Sequence, residues 1–238
     1  MEKIMRLILL LTALLFNNCA QFKFPVLSKV DDKKIIAEAQ TQRVIENLQK
    51  KPEWLFTGDA CPGDVMPEFE RKIKYKAVGC ADNPDKCLEK CQAEDANACY
   101  ALSLLLDEQR GKEEIDTQAL YLRACKLGIV SGCTNNAAGK SNINPDDKTT
   151  KCAADTFEKA CSRNDSWGCA MYGLALGNGA GRRQDTDEAL KVLQKPCLIA
   201  GNDSPACQSA RKTEEIIKKF ERQIKVQQET NTAISNKQ

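Results

Sequence analysis

The chain of 238 residues contains no histidine. That absence removes the commonest general base and the commonest protein metal ligand together. Ser-His-Asp and Cys-His nucleophilic sets are therefore excluded within the chain. Aromatic residues make up only 5% of the sequence, too few for a large stacking groove. Neither sign of charge dominates: 35 basic residues face 33 acidic ones, for a net charge of +2. No basic stripe with interleaved aromatics occurs, which argues against nucleic acid as a partner. One long apolar run exists, Leu7 to Phe16, interrupted by Thr12. It is too short to span a membrane as a lone helix.

That run follows Lys3 and Arg6, so residues 1–18 read as a signal peptide: charged start, apolar core. Cys19 comes next, before Ala20 and Gln21. A cysteine at the end of the apolar core resembles a bacterial lipobox, and diacylglyceryl attachment at Cys19 is expected. Asn17 and Asn18 depart from the usual small residue before the cysteine. The competing expectation is an ordinary secretory cut nearby, leaving a soluble product. Lipid chains anchor by roughly 0.8 kcal/mol per buried CH₂, so a lipidated tether over residues 19–30 would hold the chain to the envelope. Ala20 after the cysteine resembles the outer-membrane default, with the protein on the periplasmic or surface face.

Export sets the meaning of the cysteines. The sequence has 13 of them. In an exported chain they point to disulfides rather than to metal or redox work. A four-thiolate zinc site from Cys87, Cys91, Cys99 and one more would need a reducing compartment. Eight cysteines recur with a period: Cys91, Cys125, Cys161 and Cys197 are spaced by 34, 36 and 36 residues. Their followers are Cys99, Cys133, Cys169 and Cys207. A fixed period of this size marks a stacked repeat architecture. On one continuous helix, cysteines eight residues apart would sit roughly 12 Å from each other. A disulfide needs Cα atoms within about 7 Å. If these pairs bond, the chain reverses between them. Gly128, Ser131 and Gly132 in one copy, and Asn164, Asp165 and Gly168 in another, suit that reversal. The rest of each period holds two helices and a turn. In the third copy Cys169, Tyr172, Leu174 and Leu176 mark one apolar face. Asp185 or Thr186 caps the next helix, which buries Ala189, Val192 and Leu193. Tyr121, Phe157 and Leu193 lie four residues before an opening cysteine, with Ala124, Ala160 or Pro196 directly before it. These are the expected stacking contacts.

The segment Cys169–Cys197 resembles the Sel-1-like repeat, a relative of the tetratricopeptide repeat, in its disulfide-bridged, cysteine-rich secreted subtype. Gly173, Gly179, Gly181, Asp185, Ala189 and Cys197 match that pattern in register. Leu176, Arg182 and Pro196 depart from it, where tyrosine, valine and alanine are usual. The second copy is degenerate, with Asn136-Ala137 for a leucine-glycine pair and Ile143 and Pro145 at glycine positions. The first is two residues short and keeps only Gly111. The resemblance implies an all-α fold: an α/α solenoid of disulfide-stapled hairpins over residues 87–210. Members of the subtype have been described as penicillin-binding or weakly β-lactam-hydrolysing.

Four cysteines stand outside the repeat pairs. Cys80 and Cys87 flank Asp82-Asn83-Pro84-Asp85, a turn that favours their pairing. Cys61 and Cys152 then make a long-range bridge, or both are free. Residues 31–86 form an N-terminal helical region. A helix is expected over 31–50, with Ile35, Ile36, Ala39, Val44, Ile45 and Leu48 as its stripe. A loop carrying Cys61 follows over 57–66, and a second helix over Pro67–Val78 with proline at its start. Trp54, Leu55 and Phe56 are expected to pack these helices on the first repeat. Residues 211–238 form a capping helix and tail: the helix starts near Ala206, runs to about Gln228, carries Ile216, Ile217, Phe220, Ile224 and Val226, and ends in a frayed tail. The whole makes one domain of mature chain.

The search for chemistry yields little. Gly139-Lys140-Ser141 resembles the end of a phosphate loop, but Thr134 stands where a glycine is required and no strand precedes it. Ser209-Ala210-Arg211-Lys212 fits S-x-x-K, without the S-D-N and K-T-G partners of that set. Glu113-Glu114 and Asp146-Asp147 read as helix-end carboxylates. No catalytic residue, metal or cofactor is assigned. The leading expectation is a non-enzymatic, lipid-anchored module that presents the helical-repeat surface to a protein or peptide. The alternatives are a β-lactam-binding protein and a purely structural envelope lipoprotein. A binding groove requires inner-helix polar residues such as Asn135, Asn136, Lys140 and Asn142 to share a face.

Overall fold

The computed structural model describes residues 32–55, 60–108 and 117–235, and every regular element among them is helical. The chain divides into two compact units, Met1–Ile36 and Ala37–Gln238. Residues 1–18, expected to be a signal peptide, and Cys19, Phe56, Gly111, Glu113 and Glu114 lie outside the described residues. The helices are α1 (Asp32–Gln49), α2 (Pro84–Gln92), α3 (Ala96–Asp107), α4 (Thr117–Lys126), α5 (Val130–Ile143), α6 (Asp147–Ser162), α7 (Ser166–Asn178), α8 (Thr186–Val192), α9 (Lys195–Ala200) and α10 (Pro205–Ser235).

The reversals are built alike. Disulfides Cys91–Cys99, Cys125–Cys133, Cys161–Cys169 and Cys197–Cys207 join α2 to α3, α4 to α5, α6 to α7 and α9 to α10. Their Cα atoms stand 4.6, 4.7, 4.3 and 4.5 Å apart, which a continuous helix forbids. Three residues after the opening cysteine the backbone turns left-handed, at Glu94 (φ 65°), Gly128 (φ 98°) and Asn164 (φ 59°). The next residue caps the following helix: Asp95 accepts from the Asn97 and Ala98 amides, and Asp165 from the Gly168 amide. Gly168 is required because a Cβ there would meet the Ala160 Cβ at 2.6 Å. The small residue before the opening cysteine thus packs on the small residue before its partner. By the loop-entropy account, each eight-residue loop stabilises by roughly 2–3 kcal/mol.

Neighbouring copies are tied by burial and by one carboxylate. Tyr121, Phe157 and Leu193 are all buried, as are Ala124, Ala160 and Pro196. Leu174 is half-buried, and Ala175 and Leu176 take the core positions. Asp165 sits in the third reversal with only 8% exposure. Besides capping α7 it accepts from the hydroxyls of Ser131 and Thr134 on α5, the latter at 2.7 Å. Ile129 holds the corresponding position of the second copy, without a side-chain cap. Gly181 closes the third-copy turn at φ 70°, and a Cβ there would run into the Thr150 carbonyl of α6.

Three expectations need correction. Pro67–Val78 is not a helix: only Tyr75–Val78 form a 3-10 turn. Residues 60–74 form a strap across the reversals instead. Arg163 donates to the Pro67 carbonyl, the Arg71 amide donates to Gly128 O at 2.8 Å, and the Lys74 amide donates to Asn97 Oδ1 at 2.6 Å. Backbone groups that a helix would pair locally are paired here with the third, second and first reversals in turn. The helix expected to bury Ala189, Val192 and Leu193 stops at Val192, and α9 begins at Lys195 with Pro196 in its first turn. The proline has no amide to continue the ladder. Finally α10 does not fray at Glu229 but runs to Ser235. Of the α1 stripe only Val44, Ile45 and Leu48 are buried; Ile35 and Ile36, in the first compact unit, are exposed. Trp54 and Leu55 pack beside the first repeat as expected, with Arg123 donating to the Trp54 carbonyl at 2.9 Å and lying over its ring.

Asp165→Ala removes an acceptor from three buried donors. It should cost roughly 2–4 kcal/mol in denaturant unfolding, more than a surface cap. Gly181→Ala combines a left-handed backbone with a backbone clash and should lose roughly 2–4 kcal/mol by the same measurement.

Candidate functional site

A cleft of about 730 Å³ opens between α4, α5, the start of α6 and the first residues of the strap. Gln118 and Leu122 come from α4; Asn136, Ala137, Lys140 and Ile143 come from α5. The α5–α6 link adds Asn144 and Asp146, and α6 adds Lys148, Thr149 and Cys152. Ala60, Cys61, Pro62 and Asp64 form the wall on the strap side. The i, i+4 spacing of Asn136 and Lys140 puts both on one face of α5.

The strap wall is held by α6. The Cys61–Cys152 disulfide joins them with Cα atoms 5.7 Å apart. The Gly63 amide donates to Thr156 Oγ1 at 2.9 Å, and Lys159 Nζ donates to the Gly63 carbonyl at 2.9 Å. Lys159 also lies 3.5 Å from the Asp64 carboxylate. On the floor, Asn136 is fully buried and donates from Nδ2 to the Gln118 carbonyl at 2.6 Å. At the rim, Asp146 caps α6 by accepting from the Thr149 amide. That bond, helped by Asn144 and Lys148, holds its carboxyl below the usual range. Both cleft carboxylates are thus engaged. Lys140 and Lys148 form no ion pair among the described residues. Ile143 stands 71% exposed at the lip.

The polar residues expected to share a face are split. Asn136 and Lys140 line the cleft. Asn135 turns toward the preceding hairpin and donates to the Tyr100 hydroxyl at 3.3 Å. Asn142, exposed, is not among the lining residues. Asn135 joins an interior polar cluster. Tyr121 OH donates to Asp107 at 3.4 Å, Thr117 Oγ1 donates to the same carboxylate at 3.2 Å, and the Tyr100 and Tyr121 rings meet edge-on at 6.0 Å. Burial, then Asp107, push the Tyr121 phenol far above its ordinary value.

Sequence reasoning missed the Arg182 clasp. The guanidinium lies 4.6 Å over the Tyr172 ring, donates to its hydroxyl at 2.9 Å and reaches Asp155 and Glu158 at 3.3 and 3.1 Å. Tyr172 donates to Glu158 at 2.9 Å. The planar fork of Arg182 makes a polar tie between α6 and α7.

The other motifs fall outside the cleft or lose their chemistry. Gly139-Lys140-Ser141 lies inside α5, where the amides are spent on the helix ladder and cannot cradle phosphate. Ser209 and Lys212 lie one turn apart on α10, Ser209 half-buried and Lys212 exposed. Cys87, Cys91 and Cys99 are bonded, Cys87 to Cys80 and Cys91 to Cys99, and the described residues hold no metal-binding group of three or more. Six disulfides point to an oxidising, non-cytoplasmic environment. No helix among the described residues is long and apolar enough to cross a membrane.

Comparison with family models, with curated proteins and with solved structures finds no match.

The sign of the Tyr121 shift sets a pH dependence. A phenol whose folded pKa is raised contributes stability that is complete below its unfolded value of 10.0 and falls as pH climbs above it. Phenolate absorbance should therefore show one tyrosine that ionises only with unfolding. Tyr121→Phe should remove that step and flatten the alkaline loss of stability.

Proposed function

We propose that this chain is a lipid-anchored envelope protein of the Sel-1-like type, and that it acts as a non-enzymatic interaction module whose working face is the α4–α5–α6 cleft. The observation that carries the reading is the cleft itself. Its alkyl walls suit side chains, and its lysines, Lys140 and Lys148, suit a polar or acidic partner group. Asp146 is engaged in capping α6 and Asp64 lies against Lys159, and neither Lys140 nor Lys148 is held in an ion pair among the described residues. This is the chemistry of recognition.

A signal peptide over residues 1–18 and a diacylglyceryl group on Cys19 would place the module on a membrane surface, the outer membrane by the residue that follows the cysteine. Cys19→Ser should move the protein from the membrane fraction to the soluble fraction of the envelope; retention in the membrane would refute the anchor.

The cleft is tested with a photo-crosslinking amino acid placed at Ile143 of the full chain in producing cells. Leu198 on α9, 84% exposed and remote in sequence from the cleft, serves as the control position. A discrete adduct from position 143, absent from position 198 and lost with Lys140→Glu, is the expected result. Equal adducts from both positions, or none from 143, would remove the cleft from consideration as the working face.

A further inference from the structure

The disulfides of the described residues are not equivalent. Five close loops with sequence separations of 7 to 10 residues. Each of these has at least one cysteine shielded to 5% exposure or less; in Cys197–Cys207 only Cys197 is partly open. Cys61–Cys152 differs on three counts. It spans a separation of 91 residues. Both of its cysteines are partly exposed. Both line the cleft.

We propose that Cys61–Cys152 is a thiol–disulfide exchange site for a dithiol reductant, and that its opening releases the Ala60–Cys61 edge of the cleft while the rest of the strap, from the buried Pro62 onward, stays seated. The reaction is a pair of displacements. One thiolate of the dithiol attacks a sulfur of the bridge, forming a mixed disulfide and expelling the other cysteine as a thiolate. The second thiol of the reagent then displaces the first-bonded cysteine. The dithiol ends as a disulfide, the two cysteines end as thiols, and two protons pass from reagent to protein by way of solvent. Access controls the rate, because the attacking thiolate must reach the sulfur in line, and among the bridges of the described residues only this one has both cysteines partly exposed.

The local outcome follows from what else holds the strap. Upstream of Gly63 the disulfide is the covalent tie to α6. From Gly63 onward the strap has its own anchors: the Thr156 and Lys159 bonds at Gly63, the packing of Val65 and Met66 on Leu122, and Arg163 on the Pro67 carbonyl. Reduction therefore widens the cleft on one side without dismantling the stack. The inference concerns the bond and the wall, and it stands whatever molecule fills the cleft.

The test uses the full chain in detergent. Limited dithiothreitol at neutral pH is quenched at intervals with an alkylating reagent, and the labelled cysteines are mapped by peptide mass. Cys61 and Cys152 should be labelled together, about tenfold faster than any other pair. Amide hydrogen exchange should quicken within residues 60–64, where the Asp64 amide donates to the Cys61 carbonyl at 3.0 Å, with Gly63 and α2 to α7 unchanged. The Cys61→Ser/Cys152→Ser variant should reproduce that exchange pattern without reductant. Prior or simultaneous reduction of another bridge overturns the exchange site. Unchanged exchange at 60–64, or general loosening of the helices in reduced protein or variant, overturns the local release.

Discussion

Everything in this molecule depends on forcing two helix ends together at a spacing that a helix cannot reach. A disulfide between cysteines eight residues apart cannot lie along one helix, so each bridge fixes where one helix ends, where the chain turns left-handed and where the next helix begins. The residues around each bridge serve that single demand. A left-handed residue takes the turn, an aspartate caps the new helix at the first and third reversals, and small residues let the two helices approach. Glu94 shows how strong the demand is: a residue without glycine's freedom adopts φ 65° because the bridge between Cys91 and Cys99 leaves no alternative.

The reversals also explain how the copies talk to each other. Asp165 caps its own helix and collects hydroxyl protons from the preceding copy, so one carboxylate is both a local device and an inter-repeat bond. Arg182 does the same from the opposite end of the hairpin, reaching back to Asp155 and Glu158. Repeat proteins are approximately sums of units and interfaces. Here the interface is partly polar, hydrogen-bonded and buried where Asp165 sits and ion-paired where Arg182 sits.

The legible part of the fold was written in periodic residues. The cysteine period, the apolar residue four positions before each opening cysteine and the glycine pair of the third turn all carry local information. The strap was illegible for the converse reason. Pro67, Phe69, Ile73 and Val78 have helix-compatible spacing, yet Phe69 and Ile73 end up exposed, and what fixes the segment is its backbone. Its partners, Gly128, Asn97 and Arg163, lie tens of residues away and leave no trace in a local pattern. The cleft was half legible. Asn136 and Lys140 stood on one helix face in the sequence, but the wall opposite them is strap, so the cavity could not be drawn before the strap was. The even count of cysteines left after Cys19 allowed a Cys61–Cys152 bond but did not require it.

The strap runs against the stack: it meets the third reversal first, then the second, then the first. As the chain is made from its N-terminus, the strap emerges before any surface exists to receive it, and its end nearest the N-terminus waits longest. Cys61 must remain unpaired, or pair wrongly and be corrected, until Cys152 follows it 91 residues later. The hairpins can close in the order they appear, each within its own few residues. The Cys61–Cys152 bridge reaches back across the Cys80–Cys87, Cys91–Cys99 and Cys125–Cys133 loops between its ends, so its closure reports that α6 has come back to the strap, which no hairpin bridge can report.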